Sequence, residues 1–287
     1  VFENRREEMK PQLWLALAVS TRRPSGVLSC ISPLLPLSSP RIEIPLRNRA
    51  QGSGFSLRVP SKDAVLEVHL ARAHVHAAAS ADYDQAMEEM LRDLITETPN
   101  YWARLWPCGV AVADLLLSEP ELVAGRSVLD LGTGLGSAAI SAALCGADSV
   151  LATDEEADAL AHLAQSAEDN QVEVLTRKMC WADIANDASL PRYGCVIGSD
   201  ILYHPTSAAV IAPLMCRLVK AGGIALITDS TQRPYGSTHR AELIDRLCNP
   251  GAGFVLKRQE VLPVVLDETE SAIQLLLFER RQSREVL

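Results

Sequence analysis

Aromatic residues are scarce in this 287-residue chain, at 5% of positions, so a stretch dense in them stands out. Long apolar runs are missing: none approaches the roughly 18 residues of a membrane-spanning helix. Paired cysteine motifs are missing too. The cysteines at 30, 108, 145, 180, 195, 216 and 248 are odd in number, widely spaced and form no C-x-x-C pair. That excludes a disulfide scaffold and predicts free thiols in a reducing compartment. It also argues against a metal site, because His69, His74 and His76, the one histidine cluster, have no cysteine partners nearby and read as solvated. Basic charge is short: 27 Lys and Arg face 36 Asp and Glu, for a net charge of −9. The first 42 residues hold a disproportionate share of the basic residues, so the remainder is more acidic still. An acidic body repels phosphate backbones, which argues against nucleic acid as partner. It suits a basic acceptor such as a lysine-rich protein surface, and equally an ordinary soluble acidic exterior.

Acids are absent from 10–42, where Lys10, Arg22, Arg23 and Arg41 lie among many Ser and Pro. With Met9 as the start, that composition resembles an organelle transit peptide. A secretory signal with its apolar core at 13–19 and a disordered tail are the competing readings. The expectation is an intracellular protein, in plastid or mitochondrion if Met9 begins it and otherwise cytoplasmic. Residues 1–50 are then a disordered extension and 51–287 one large domain.

The stretch that organises the rest is 127–137, SVLDLGTGLGS. A short apolar run meets Asp130, then glycines at 132, 134 and 136, then the small-residue helix AAISAALCG. Strand, glycine turn and helix open a doubly wound α/β sheet, where glycines let the backbone approach a ligand closely. The helix N-terminus presents unpaired N–H groups. The third glycine comes one residue early for a dinucleotide fingerprint, and no Lys-Ser/Thr pair follows for a phosphate loop.

Around this turn the pattern predicts short strands at 55–59 and 65–70 as a hairpin, and a helix over 82–95 with Met87, Met90, Leu91 and Leu94 inward. The segment PNYWARLWPCG at 99–109 concentrates aromatics, either as a packing plug or as a wall over a ligand, with Trp106 fixed by Pro107 and Gly109. A strand at 150–153 ends at Asp154, whose carboxylate can accept from both hydroxyls of a ribose or can serve as a helix-start acid. A helix over 155–170, a strand at 172–175 and a loop carrying Trp181 follow; Trp181 lies against an adenine face or in the core. A strand at 196–199 delivers Asp200 and Tyr203 to the edge where α/β sheets bind ligands; His204 beside them is a weaker candidate base. A helix over 207–220 capped by Gly222-Gly223, a strand at 224–228, a polar loop at 229–237 and an antiparallel pair at 254–260 and 271–279 complete the expected sheet.

These residues resemble the class I, seven-strand S-adenosylmethionine-dependent methyltransferases, and within them the protein-lysine methyltransferases of methyltransferase family 16. The resemblance rests on D-x-G-x-G-x-G at 130–136, Y-W-A-x-L-W-P-x-G at 101–109, the strand-end Asp154, the Trp181 segment and D-x-x-Y at 200–203. It implies a Rossmann-like, mostly parallel seven-stranded sheet with the last strand antiparallel, and S-adenosyl-L-methionine as cofactor. Trp106, Gly132, Thr133, Gly134, Asp154, Trp181 and Ser199 would line that cofactor, while Asp200 and Tyr203 would shape the acceptor slot. The segment DSTQRP at 229–234 is most like the flavoprotein-subunit enzymes. The implied partner is a protein bearing an accessible lysine, met by a monomer with no metal, nucleic acid or membrane involved. A small-molecule N-methyltransferase, a catalytically silent binding module and a nicotinamide-dependent oxidoreductase remain alternatives.

Overall fold

The computed structural model describes residues 39–46, 54–96 and 101–282, with 91–96 described by backbone alone. Of the expected 1–50 extension, residues 1–38 and 47–50 lie outside them, as do Cys30 and Pro99. The chain divides into two compact units.

The smaller unit contains two helices, α1 (Lys62–Ala78) and α2 (Tyr83–Thr96). They close on Ala73, Ala77 and Met87, with Tyr83, Ala86 and Met90 packed alongside. The predicted strand at 65–70 is therefore helical. Its six alternating residues sit in a longer alanine-rich run opened by Ser61, whose hydroxyl accepts from the Ala64 N–H at 3.1 Å. A capped run of 17 residues outweighs a brief period-two pattern.

In the larger unit, β1 (Arg41–Glu43) pairs antiparallel with β2 (Ser56–Arg58), so the partner of the 55–59 segment lies upstream rather than downstream. The main sheet contains β3 (Ser127–Leu131), β4 (Ser149–Asp154), β5 (Leu175–Lys178), β6 (Tyr193–Ser199), β7 (Val219–Ser230), β8 (Phe254–Leu266) and β9 (Thr269–Arg280). Their order is β5-β4-β3-β6-β7-β9-β8, parallel except for β9, which runs antiparallel to both neighbours. This is the expected seven-stranded Rossmann-like sheet with its last strand antiparallel. The order reverses at β3, between β4 and β6, which is where α/β sheets open a crevice at their carboxyl ends.

The helices are α3 (Pro107–Ser118), α4 (Ser137–Leu144), α5 (Ala157–Asp169), the short α6 (Trp181–Asn186), α7 (Ser207–Leu218) and α8 (Gly236–Cys248). One core joins Leu129 and Leu131 of β3 to Ile211, Leu214, Met215 and Leu218 of α7 and to Leu243 and Leu247 of α8. Strand alternation turns Val128 and Asp130 the other way. Among the described residues no helix is long and apolar enough to cross a membrane.

Three further differences from the sequence reading have local causes. The third strand starts at Leu175 rather than 172, because Val172 completes the cap of α5: its N–H bonds Ala167 O, the Gln171 N–H bonds Glu168 O, and Gln171 takes φ 56°. That two-bond cap uses the residues that would have begun the strand. Gly222 and Gly223 lie inside β7 instead of capping a helix. The register shifts opposite them, between Tyr193 and Cys195, and a Cβ on Gly223 would stand 2.9 Å from Gly194 O. Helix α8 went unpredicted; its inward positions include His239 and Arg240 beside Leu243 and Leu247, so the apolar period is half polar.

The β1–β2 pair docks on α5 through directional bonds. Arg58 forks onto Asp169 (2.6 and 3.1 Å), joined there by Arg41, and Asn170 exchanges bonds with the Ser56 backbone (3.2 and 2.7 Å). Further along, Ser39 Oγ meets Nε2 of the buried His162 at 3.1 Å.

Candidate functional site

The bend after β3 is built on backbone that L side chains resist. Gly132, Gly134 and Gly136 have φ of 66°, 52° and 86°. At Gly136, the N-cap of α4, a Cβ would collide with the Leu163 side chain of α5. Thr133 holds the bend from both ends: its N–H bonds Thr153 O at 3.0 Å, and its hydroxyl donates to Asp130 Oδ2 at 2.6 Å.

Asp154, at the end of β4, faces this bend. Its Oδ2 accepts from the Gly134 N–H at 2.9 Å and its Oδ1 from the Glu156 N–H at 3.0 Å. Each carboxylate oxygen keeps a second lone pair. Burial pushes the Asp154 carboxyl above its ordinary range, and those backbone donors oppose the shift. Beneath the bend, fully buried Asp130 is pushed up to about 6, first by burial and further by the Asp154 charge; the Thr133 hydroxyl and, weakly, the Ala139 amide pull the other way. Ala139 does not reach hydrogen-bonding geometry, and Asp130 Oδ1 has no partner among the described residues. Two carboxyls thus sit under one glycine turn. That arrangement disfavours a phosphate and fits a nucleoside carrying positive charge.

The aromatic segment meets the same edge. Residues Tyr101–Ala103 make a single 3₁₀ turn with Trp102 buried against His162, ring centres 5.4 Å apart. The Trp102 backbone abuts the bend, its carbonyl 3.6 Å from where a Gly134 Cβ would stand. Trp102 is thus a packing plug. Trp106 is half-buried; its indole N–H donates to Tyr101 O at 2.6 Å, and the Arg104 guanidinium lies 5.0 Å from its ring centre. Gly109 lets α3 approach Ser137, whose hydroxyl would stand 2.4 Å from a Cβ there, with the Ser199 hydroxyl at 3.9 Å.

Ring contacts continue from Trp106 to Tyr101 (6.0 Å), from Tyr101 to Tyr203 (6.4 Å) and from Tyr203 to Trp181 (6.0 Å). Trp181 is the first residue of α6 and packs against the core, where the sequence had suggested a loop. Tyr203 is 53% exposed, its phenol pushed up mainly by partial burial and then by Glu155 and Asp154. His204 is engaged in its own turn, with Nδ1 2.9 Å from Thr206 Oγ1 and 3.3 Å from the Thr206 N–H.

Asp200 follows β6 with φ 59°, fixed by its N–H on Thr228 O at 2.9 Å. Ile201, next in sequence, is the side chain nearest the missing Gly132 Cβ, at 3.6 Å, so this turn and the glycine bend share one wall. The sequence reading did not single out what holds the Asp200 side chain. Arg233 pairs with Asp200 Oδ1 and, through Nε, with Asp229 Oδ1 at 3.1 Å; Arg240 pairs with Asp229 Oδ2. The Cys108 thiol lies 3.4 Å from Asp200 Oδ1, and burial with the Asp200 charge pushes that thiol well up. The D-x-x-x-R spacing of 229–233 was visible, but Arg240 sits in the unpredicted helix.

Trp106, Gly132, Thr133, Gly134, Asp154, Trp181, Ser199, Asp200 and Tyr203 all lie at the carboxyl edge around the β3 crossover. Among the described residues no cluster of three His, Cys, Asp or Glu could hold a metal. An open cleft of about 310 Å³ lies at the opposite end of the strands, lined by residues including Arg126, Ser127 and Lys220; none of the site residues above borders it.

A model of the lysine methyltransferase family matches residues 93–244, just over half of the chain. The chain belongs to the lysine methyltransferase family. The electron transfer flavoprotein beta subunit lysine methyltransferase of Xenopus laevis is 30% identical over 139 residues, 48% of this chain and 55% of that protein. The Danio rerio protein of the same description is 57% identical over 54 residues, covering 19% and 21%. A histone-arginine methyltransferase of Xenopus laevis is 32% identical over 123 residues, covering 41% and 53%. The chain thus spans from about a fifth to just over half of these relatives' own lengths. Among solved structures, a Pyrococcus horikoshii protein assigned as an RNA methyltransferase aligns at 15% identity with a TM-score of 0.50, over 68% of this chain and 98% of that one. A methyltransferase-fold protein solved with S-adenosylhomocysteine aligns at 14% identity and 0.51, over 61% and 50%. Both share the fold of this family member.

Proposed function

We propose that the protein is an S-adenosylmethionine-dependent methyltransferase acting on a lysine ε-amine of a protein substrate. The observation that carries this reading is the glycine bend closed by Asp154 over buried Asp130, with Asp200 delivered by the neighbouring strand. When bound, the cofactor supplies an electrophilic methyl group, the C–S bond breaking as the N–C bond forms.

The chain's own residues do the rest. The bend allows close approach and the first turn of α4 offers its N-terminal N–H groups, Asp154 accepts from ribose hydroxyls, and Trp106, Trp181 and Ser199 border the same space. The acceptor amine must be neutral to attack. With an ordinary lysine near 10.4, losing its proton at pH 7 costs about 4.6 kcal/mol, at ~1.36 kcal/mol per unit. A cationic ligand held beside the amine lowers that cost. Asp200 accepts a hydrogen bond from the amine and aims its lone pair. Tyr203 narrows the slot. The net charge of −9 favours a basic protein segment over nucleic acid. The flavoprotein beta subunit named for several relatives is the first acceptor to try, and the histone-arginine relative makes a guanidinium the second reading.

The test is transfer of tritium from labelled S-adenosylmethionine to purified electron transfer flavoprotein beta subunit and to histones, followed by acid hydrolysis. Label in methylated lysine supports the proposal. Label in methylarginine, or none in protein, rejects it.

A further inference from the structure

Relatives of this chain divide between lysine and arginine acceptors, so something in the site must choose. Asp200 has two oxygens, and the structure treats them unequally. Oδ1 takes the Arg233 guanidinium and lies within reach of the Cys108 thiol, whereas Oδ2 has no bond to any described residue. Arg233 is anchored from behind by Asp229, which is 1% exposed and gripped on its other oxygen by Arg240. Space for this lattice depends on Gly236, where a Cβ would stand 2.8 Å from Arg240 Nη1 and 3.2 Å from Arg233 Cβ.

A guanidinium binds a carboxylate best as a fork, two parallel N–H bonds to both oxygens, whereas an amine needs one acceptor. We infer that Arg233 is a specificity-determining residue: by filling Asp200 Oδ1 from inside the protein, it leaves one oxygen that serves an amine and denies a guanidinium its fork. The resident cation also repels a second guanidinium drawn alongside it. This inference rests on the lysine methyltransferase reading above. Arg233 acts through Asp200 and not on the reacting atoms, so it is a positioning residue.

The experiment compares the full chain with Arg233→Met and Arg233→Lys, using tritiated S-adenosylmethionine and a mixture of flavoprotein beta subunit and histones. Label is resolved into methyl-lysine and methylarginine. Melting temperature and S-adenosylhomocysteine affinity by calorimetry are read alongside. Asp229 keeps Arg240 in these variants but loses a partner in Arg233→Met, so melting falls by several degrees there while S-adenosylhomocysteine affinity stays unchanged. For Arg233→Met, kcat on lysine falls at least tenfold while KM for S-adenosylmethionine holds, and methylarginine rises from background to a measurable share. Arg233→Lys, which keeps a cation on Oδ1, stays within about threefold of the parent on lysine and makes no methylarginine. Should Arg233→Met fail to fold, Arg233→Gln, which is uncharged but keeps a polar amide donor, takes the same readouts.

Unchanged kcat and product ratio in the uncharged variant overturn the inference alone. A loss on lysine with no methylarginine also overturns it, since Arg233 would then orient without selecting. Methylarginine from the parent chain, or no labelled protein, overturns the proposed function and this inference with it.

Discussion

Replacing Asp130 with asparagine should make the protein less sensitive to pH, with a magnitude that follows from burial. An ordinary aspartate titrates near 3.8, and this one near 6, so the folded state holds its proton about two units longer. At ~1.36 kcal/mol per unit, that difference is about 3 kcal/mol. The sign follows from proton binding. Between pH 4 and 6 the folded state binds more protons at this site than the unfolded state, so its contribution falls as pH rises and the full penalty stands above pH 6. The substituted carboxamide carries no charge at any of these values. It would meet the same orphaned corner as Oδ1, a loss of ~1–3 kcal/mol, but that loss does not vary with pH. The prediction therefore concerns slope and not offset. In urea titrations from pH 4 to 8, the stability of Asp130→Asn minus that of the parent should climb by about 3 kcal/mol between pH 4 and 6 and then flatten. Parallel curves would refute the reasoning. A second check is Asp154→Asn: removing the neighbouring charge should move the parent's window to lower pH.

Other expectations follow from the same site. Asp154→Ala should weaken S-adenosylhomocysteine binding by roughly 1.5–3 kcal/mol per charged hydrogen bond lost, read by calorimetry, and an unchanged affinity rejects the ribose role. Gly136→Ala forces a left-handed backbone at ~1–2 kcal/mol and drives a methyl into Leu163, so it should lower the melting temperature by several degrees. Asp200→Ala should cut kcat on lysine by about two orders of magnitude with cofactor affinity intact, because the amine loses its orienting acceptor; normal turnover removes Asp200 from the mechanism.

How much of this was legible in the sequence depended on how local each signal was. The glycine bend and Asp154 could be read because backbone chirality and a strand–helix spacing are written within some twenty residues. The antiparallel closing pair could be read because its apolar content is dense. The region 60–78 was misread because alternation over six residues imitates a strand, and only the Ser61 cap and the alanine-rich continuation decide otherwise. The lattice around Asp200 was out of reach for a different reason. Cys108, Asp200, Asp229 and Arg240 are far apart in the chain and share no motif, and α8 hides its period because two inward positions are polar. Asp130 was visible as a motif residue, but nothing in its neighbours announced that one oxygen would be left without a partner.

The bonds tying β1 and β2 to α5 bear on how the chain can be shortened. Ser39, Arg41, Ser56 and Arg58 fasten to the helix that leaves directly from Asp154, so the early residues brace the Asp154 side of the crevice from outside. A form trimmed at residue 51 to discard a leader would also discard one strand and half of that brace. Any N-terminal cut that spares this brace has to fall before Ser39.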